Sequence, residues 1–375
     1  MTDMSSSASS ATPLGETATP LGNRLRGAAG AVFRSQQIGL ILVLLALGAA
    51  LTAMAGTHAD RLTGAPVNNF LNAYTLIQVA TDTSAFAIMG VGMTIVIISG
   101  GIDLSVGAIY ALAGVAMAMV LRALPGLSPV MQVVVGLTVC LGTSLLCGLA
   151  NGIMVIKLRV HPFIVTLGTM WMLRGVAFVV SHAESVLVPS ALTHVTQASL
   201  GLRQSLYPVP FLLMVAVTIF GMIYLGRTVM GRHVFALGGN AEASRYSGLN
   251  VDRITLGVYV LSGLTAGIAA FIGASFYGSA NSSDGTGYEL YVIAAAVVGG
   301  ASLIGGKGSA VSATLGALLI VMVRQSIRTL HLDQNYEWII IGGAMILAVV
   351  LDQGGSRLLA RRLARGATTN RPQST

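Results

Sequence analysis

Ten apolar runs alternate with short polar or glycine-rich segments along the chain, and most are long enough to cross a bilayer. A transmembrane helix needs roughly 20 mostly apolar residues to cover about 30 Å of hydrocarbon. The runs lie at residues 38–55, 80–99, 104–121, 130–156, 163–180, 208–226, 254–280, 290–304, 309–328 and 338–352. The pattern predicts an all-α polytopic membrane protein with about ten transmembrane helices. The two shortest runs, 290–304 and 338–352, leave nine or eleven crossings open.

Two polar ends flank this apolar domain, which we place at residues 36–352. Residues 1–35 begin with a stretch rich in Ser, Thr, Ala and Pro that is too polar to bury a core, so we predict a disordered cytoplasmic N-terminal extension. Residues 353–375 are rich in Arg and form a basic cytoplasmic tail. Within the apolar domain, the segment at about 227–253 is predicted to be a cytoplasmic loop.

The positions of Lys and Arg test this layout, because cytoplasmic loops of membrane proteins are enriched in them. With a cytoplasmic N-terminus, ten crossings place 15 of the 21 basic residues on the cytoplasmic side. Four face the other side, and two fall within predicted spans: Arg61, Arg122, Arg203 and Arg328, then Arg174 and Arg324. The bias predicts that both termini are cytoplasmic.

Two glycine-rich turns, the first hairpin (98–107) and the second hairpin (304–309), each join neighbouring spans. Glycine-broken helices at membrane depth are tolerated where they are buried or line a cavity, and in transporters they often mark the pathway. An ordinary tight turn, in which Asp103 or Ser105 caps the next helix, explains the first hairpin equally well. The predicted topology places both hairpins on the same side of the membrane, so they are not evidence for an inverted repeat.

Composition excludes several classes of protein. The chain is 54% hydrophobic and only 9% charged, whereas an ordinary soluble domain is about 25% charged, so a soluble enzyme, a disordered protein and a coiled coil are all excluded. The net charge of +8 arises from short basic clusters between apolar runs, which argues against a nucleic-acid partner. The 46 glycines suit membrane helices that pack closely. Cys140 and Cys147 lie about 10 Å apart on one predicted helix, beyond the reach of a disulfide.

The chain lacks the residue patterns of a nucleotide or metal site. Gly306-Lys307 has neither the upstream Gly nor the following Ser or Thr of a phosphate-binding loop, and the six His residues show no paired spacing. We therefore predict a transport subunit without catalytic residues, metal ligands or a cofactor of its own. An ion-coupled carrier would bury several acids in the membrane, and Asp82 keeps that alternative open. Arg174 either snorkels or holds a helix carbonyl, or it lines a path.

The predicted cytoplasmic loop contains the signal of a short helix at 240–248. Asn240 is a favourable N-cap, Glu242 places negative charge in the first turn, and Gly248 suits the position just after the helix. A helix of about two turns is marginal alone. We therefore expect the membrane surface or a partner protein to hold it.

Residues 242–248 resemble the coupling motif of ABC importer permeases, in which a short cytoplasmic helix docks on the ATP-binding subunit. Glu242 and Ala243 match the start of that motif, Ser244 stands where an Ala is usual, and Gly248 follows at the motif's spacing. The run 89–107, MGVGMTIVIISGGIDLSVG, is more specific and closely resembles the ribose, xylose and galactose type of permease. The resemblance covers about residues 70–350.

The resemblance implies a permease in the bacterial inner membrane that works as a homodimer or a heterodimer with a paralogue. Its expected partners are ATP-binding subunits, which hold ATP and Mg²⁺, and a periplasmic sugar-binding protein that delivers the substrate. The resemblance assigns coupling and gate roles as follows: coupling to Asn240, Glu242, Ala243 and Gly248, and the gate or translocation path to Gly100, Gly101, Asp103, Ser105, Gly305 and Gly306. Two alternatives stay open, an ion-coupled carrier and a permease for branched-chain amino acids. The sequence does not identify the sugar.

Overall fold

The computed structural model describes residues 21–59, 64–201, 207–346 and 350. Residues 1–20 of the predicted extension and the whole predicted tail at 353–375 therefore lie outside the described residues. Residues 21–35, which the sequence assigned to the extension, form the beginning of the first helix.

The described residues form thirteen helices and four short strands. The helices are α1 (Leu21–Met54), α2 (Ala73–Ile98), α3 (Val106–Ala123), α4 (Pro129–Leu158), α5 (Pro162–Ser181), α6 (Ser190–Thr196), α7 (Val209–Arg227), α8 (Val229–Gly239), α9 (Ala241–Tyr246), α10 (Val251–Tyr277), α11 (Tyr288–Val298), α12 (Ala310–Thr329) and α13 (Tyr336–Ile346). The strands pair antiparallel in twos: β1 (Thr57–Ala59) with β2 (Pro66–Asn68), and β3 (Val186–Leu187) with β4 (Ser279–Ala280).

Eight helices of the described part of the chain are long and apolar enough to cross a membrane: α1, α2, α3, α4, α5, α7, α10 and α12. Each coincides with one of the ten predicted runs, which confirms a polytopic helical membrane protein. The two shortest runs correspond to α11 and α13, which are apolar and, within the residues that the structure describes, shorter than a membrane span. Helix α2 begins at Ala73, earlier than the run at 80–99, because Asn72 caps it by accepting a hydrogen bond from the Thr75 amide (2.8 Å).

Helix α2 forms the centre of the bundle. Most of its residues are buried, and it packs against α7, α10, α11 and α12. The outer helices α1, α4, α5 and α7 instead expose apolar side chains such as Trp171 and Val179 of α5. Because α2 leads directly into the first hairpin, the most enclosed helix of the fold positions that segment.

Close packing of α4 against α10 depends on glycine. A Cβ atom on Gly148 would lie 2.6 Å from the backbone oxygen of Tyr259, and one on Gly263 would lie 3.1 Å from the Cα atom of Gly148. Real Cβ atoms do not approach backbone this closely, so any larger residue separates the two helices. Small residues at helix contacts are the expected means of association in a membrane, where burial of apolar surface gives little driving force.

We expect Gly148→Val to destabilise the protein by about 3 kcal/mol, because overpacking against rigid backbone cannot be relieved by a rotamer change. The measurement is the thermal unfolding midpoint of the purified protein in detergent. Gly142→Val on the same helix is the matched control, since no described atom lies within 4 Å of its added Cβ. Equal unfolding midpoints for the two variants would contradict the close α4–α10 contact.

Candidate functional site

The first hairpin turns back into the bundle instead of lying on its surface. Gly100 adopts a left-handed backbone conformation (φ +87°) that favours glycine, and Gly101 is buried against the ring of Tyr259. The chain then buries Asp103 and Ser105 completely before α3 starts. The connection is therefore an irregular segment inside the fold, of the kind that a membrane protein tolerates only where protein surrounds it.

Asp103 accepts three hydrogen bonds in this buried segment. One oxygen of its carboxylate accepts from the Ser105 amide (3.0 Å) and the Ser105 hydroxyl (2.6 Å), and the other accepts from the hydroxyl of Ser262 on α10 (2.8 Å). The sequence analysis offered Asp103 or Ser105 as a cap for α3. Ser105 does occupy the N-cap position, but its side chain makes no capping bond because it bonds to Asp103 instead. The capping interpretation is wrong on this point.

Two further helices join this polar network. Asn151 of α4 donates to the Ser105 hydroxyl (2.7 Å), and Thr166 of α5 donates to the backbone oxygen of Ile102 (3.1 Å). The remaining oxygen of Asn151 and the hydroxyl of Tyr259 are buried without a hydrogen-bond partner among the described residues. Most buried polar groups are paired, so these two atoms are exceptions within the network. The network ties the first hairpin to α4, α5 and α10.

The second hairpin lies against the first. The amide of Gly306 donates a hydrogen bond to the backbone oxygen of Ile98 at the end of α2 (2.8 Å). Gly305 and Gly306 both adopt left-handed backbone conformations, with φ of +97° and +73°. A Cβ on Gly305 would lie 3.2 Å from the Cα atom of Gly100, so the predicted gate glycines of the two hairpins meet directly. The structure therefore brings Gly100, Gly305 and Gly306 into one contact, whereas Asp103 and Ser105 lie in the polar network of the first hairpin.

Helix α8 ends on this pair of hairpins. A Cβ on Gly238 would overlap the backbone oxygen of Ile98 and would lie 2.7 Å from the amide nitrogen of Gly306. In return, a Cβ on Gly305 would lie 2.6 Å from the backbone oxygen of Gly238. Three backbone segments thus meet without an intervening side chain. We call this three-way contact the glycine junction.

The short helix predicted at 240–248 follows the glycine junction directly and is confirmed as α9. The side chain of Asn240 accepts from the Ala243 amide (2.9 Å), as expected for an N-cap. Gly248 has a φ of +81° just after the helix, and its amide donates to the Arg245 oxygen (3.1 Å), as expected for a C-terminal glycine. Glu242 lies exposed in the first turn. Two residues separate Gly238 from the first residue of α9, so α9 begins directly beside the glycine junction.

A model of the family described as "Branched-chain amino acid transport system / permease component" matches residues 75–349 of this chain. The chain belongs to this permease family. The match contains both hairpins, the glycine junction and α9. The match confirms the family resemblance inferred from the motifs of the sequence.

Curated relatives of this permease include three sugar importers. The ribose import permease protein RbsC of Escherichia coli (strain K12) is 38% identical over 285 residues, covering 76% of this chain and 87% of the relative. The D-allose transport system permease protein AlsC of the same strain is 35% identical, covering 76% and 85%. The fructose import permease protein FrcC of Rhizobium meliloti is 31% identical, covering 76% and 79%. No solved structure matches the chain.

Away from the glycine junction, Arg174 of α5 holds a loop. Its guanidinium donates to the backbone oxygens of Ser282 (2.7 Å) and Asp284. Arg174 therefore binds backbone carbonyls, but those of a loop and not the helix carbonyl that the sequence predicts. Burial raises the pKa of the Asp284 carboxyl above its ordinary value, although the Asn281 amide and Arg174 oppose that shift. Arg174 of α5 therefore fixes the position of the loop at 281–287.

Sequence reasoning missed Asn151, Thr166, Ser262 and Gly238 as members of the site. The first three are polar residues inside apolar runs, and that isolation was the available signal. Gly238 carried no such signal among 46 glycines. Among the residues that the structure describes, no group of three or more His, Cys, Asp or Glu side chains is placed to hold a metal ion. Cys140 and Cys147 are both buried free thiols, as their spacing predicts.

Proposed function

We propose that this chain is the permease subunit of an ATP-driven ABC importer that carries a monosaccharide across the bacterial inner membrane. The family match and the relatives, whose names state that they import ribose, D-allose and fructose, support this proposal. The glycine junction is the observation that carries the mechanism. It joins the end of α8, which leads directly into the short helix α9, to both hairpins through backbone contacts.

The proposed orientation has both termini in the cytoplasm, so α9 and the two hairpins face the cytoplasm as well. Exposed basic residues near this end of the bundle fit the positive-inside rule, among them Arg245, Arg253 and Lys307. The loop that Arg174 holds then faces the periplasm, where a sugar-binding protein would deliver the substrate. Exposed apolar side chains on α5, such as Trp171 (68% exposed), offer a surface for lipid or for a second permease copy or paralogue.

Coupling to a partner ATPase would use the exposed side of α9. Glu242 and Ala243 are exposed there, and Tyr246 is 90% exposed. Asn240 and Gly248 fix the two ends of the helix, so that α9 can transmit a push without unwinding. In this mechanism the partner binds ATP and Mg²⁺, and its closure moves α9. The glycine junction then carries the movement to the first hairpin, whose polar network rearranges between closed and open states.

An ion-coupled carrier is the weaker alternative. Asp82, the residue that motivated it, already accepts from Gln78 (2.9 Å) and forms an ion pair with Arg328 (3.1 Å). A carboxylate held by two partners is a poor proton or sodium relay. Liposomes that contain this chain alone should therefore accumulate no sugar under a proton or sodium gradient. Accumulation that is lost in Asp82→Asn would establish the carrier and refute the ABC assignment.

The transported solute is tested by uptake into the native host. We expect deletion of the gene for this chain to abolish uptake of at least one radiolabelled monosaccharide from a panel of D-ribose, D-allose and D-fructose. Uptake of leucine and valine should be unchanged. Loss of leucine or valine uptake with intact sugar uptake would instead identify a permease for branched-chain amino acids, as the name of the family model allows.

We expect Glu242→Arg and Gly248→Pro each to reduce sugar uptake and ATPase association by about tenfold or more. Glu242→Arg reverses a charge at the start of α9, where the helix dipole favours an anion, and alters the proposed docking surface. Gly248→Pro is incompatible with the φ of +81°, because proline fixes φ near −65°. Association is measured by co-purification from detergent with the ATPase subunit.

The control for this experiment is Glu184→Arg, which reverses an exposed charge in the loop after α5, on the proposed periplasmic side. It should leave both association and uptake unchanged. If Glu242→Arg and Gly248→Pro behave like Glu184→Arg, then α9 is not the coupling helix.

A further inference from the structure

A polar pocket lies within the bundle, away from the hairpin end. Its walls come from α2, α3, α10, α11 and α12. Phe86 lies on the α2 wall of the pocket, and Ile98 is the last residue of α2. At 1.5 Å per residue, the two residues are about 18 Å apart along the helix axis. The cavity measures about 120 Å³, well below the roughly 300–1,000 Å³ of sites for drug-sized ligands. It therefore suits one small molecule, of the size of a single sugar ring.

The charged groups at this pocket are paired. Asp82 and Arg328 form an ion pair (3.1 Å), and the Nε atom of Arg324 lies 2.8 Å from a carboxylate oxygen of Glu337. The second contact is ionic only, because its geometry is not that of a hydrogen bond. Asp82, Arg324 and Arg328 line the pocket, whereas Glu337 is not part of its lining. Each of the three lining charges has an ionic partner, so the wall offers charge-assisted hydrogen bonds without an unpaired charge, which suits the hydroxyls of a neutral polar ligand.

Aromatic rings form the rest of the wall. The ring of Tyr288 lies 4.7 Å from that of Phe86 and 5.5 Å from that of Tyr110, measured between centroids. The guanidinium of Arg324 lies over the Phe86 ring at 5.5 Å. Aromatic faces stack on the C–H face of a sugar ring, while carboxylate and guanidinium groups make the stronger, charge-assisted hydrogen bonds to hydroxyls. This combination recognises a neutral polyol.

The floor of the pocket is formed where two helices begin inside the fold. Tyr288 is the first residue of α11 and Tyr110 lies in the second turn of α3. Below them, the backbones of Gly107 and Gly285 meet, since a Cβ on Gly285 would lie 2.7 Å from the Gly107 oxygen. Gly107 is also the last residue of the first hairpin. Tyr110 and Tyr288 of the pocket wall each follow this backbone contact by three residues, so the pocket lies next to the segment that leads into the Asp103 network.

We propose that this pocket is a transit site that holds the transported monosaccharide between its delivery and the opening of the hairpins. Asp82, Arg324, Arg328 and the Tyr288 hydroxyl bind its hydroxyls, and the rings of Phe86, Tyr110 and Tyr288 contact its C–H face. The inference rests on the proposed function, since it takes a monosaccharide as the substrate. It adds a binding site within the permease chain itself, so that the permease contributes to sugar selection beyond what a binding protein provides.

The chain offers its own reporter for a binding test. It contains two tryptophans, and Trp338 lies beside the pocket, with its ring 5.5 Å from that of Tyr291 and close to Gly287. The other, Trp171, is exposed on α5. Trp171→Phe therefore leaves Trp338 as the single fluorophore. The full-length protein in lipid nanodiscs is titrated separately with D-ribose, D-allose, D-fructose and leucine.

We expect a saturable change of Trp338 fluorescence with at least one of the three sugars at millimolar concentration and none with leucine. Asp82→Asn and Tyr288→Phe preserve the shape of the pocket but remove a charge or a hydroxyl, and each should weaken binding about tenfold. Asp252→Asn, at an exposed position near the start of α10, is the matched control and should titrate like the parent protein. Absence of a saturable change up to about 100 mM of every sugar overturns the transit site.

The uptake experiment separates the two proposals. If deletion of the gene leaves uptake of every monosaccharide intact, the proposed function fails and the transit site fails with it. If deletion abolishes sugar uptake but Asp82→Asn and Tyr288→Phe titrate and transport like Asp252→Asn, only the transit site fails. Binding of leucine in place of sugar would overturn the assignment of ligand class.

Discussion

Replacing Gly238 with valine is expected to abolish sugar uptake while the protein still accumulates in the membrane. A side chain at this position would overlap the backbone oxygen of Ile98 and crowd the amide of Gly306, and these two groups already bond to each other at 2.8 Å. Overpacking of a buried contact costs about 1–3 kcal/mol, and a contact made only of backbone has no side chain that could move aside. We therefore expect uptake to fall about a hundredfold, the factor that corresponds to the upper end of this energy range.

The adjacent glycine provides the control for this prediction. No described atom lies within 4 Å of a Cβ placed on Gly239, so Gly239→Val makes the same change in the same turn without a collision. Uptake of labelled sugar is compared at equal amounts of membrane protein, together with co-purification of the ATPase subunit. The expected result is retained association and lost uptake for Gly238→Val alone. Equal uptake by the two variants would show that the glycine junction does not transmit the movement of α9.

The long helices of this fold could be predicted because their signal is local. A run of about 20 apolar residues identifies a transmembrane helix without knowledge of its neighbours. The same holds for α9, whose ends are fixed by Asn240 and Gly248 within the segment itself. The short helices α11 and α13 carry a weaker local signal, because their described residues are fewer than a membrane span needs. Their positions in the fold depend on the helices around them.

The candidate site could be predicted only in part, because its contacts join distant segments. The sequence indicates Asp103 and Ser105 as gate candidates or as helix caps, but it does not indicate their bonding partners. Their partners Asn151 and Ser262 lie on α4 and α10, far along the chain, and no local pattern could indicate those bonds. The glycine junction is a stronger example, since three segments meet there through backbone atoms that every residue possesses.

Removing the carboxylate of Asp103 is expected to cause a large loss of stability. Asp103→Ala leaves the Ser105 amide, the Ser105 hydroxyl and the Ser262 hydroxyl without their common acceptor in a fully buried place. Each unsatisfied buried group costs about 1–3 kcal/mol, so the total should reach about 3 kcal/mol or more. The measurement is the thermal unfolding midpoint in detergent, followed by far-UV circular dichroism.

An exposed aspartate serves as the control for Asp103→Ala. Asp333 lies in the loop between α12 and α13 and accepts a single bond from the Asn335 amide (2.9 Å). Asp333→Ala should change stability by less than about 1 kcal/mol, because water replaces the lost carboxylate. If Asp103→Ala unfolded at the same temperature as Asp333→Ala, the buried network would contribute nothing to stability and could not hold the first hairpin.

A double substitution tests whether these bonds act as one network. In Asp103→Ala alone, the Ser262 hydroxyl loses its acceptor, whereas in Asp103→Ala combined with Ser262→Ala that hydroxyl is absent. The double variant should therefore lose less stability than the sum of the two single variants, by about 1 kcal/mol or more. Additive losses would mean that Ser262 and Asp103 stabilise the fold independently. The first hairpin would then be held by its own turn and not by α10, and a rearrangement of the hairpin would leave α10 in place.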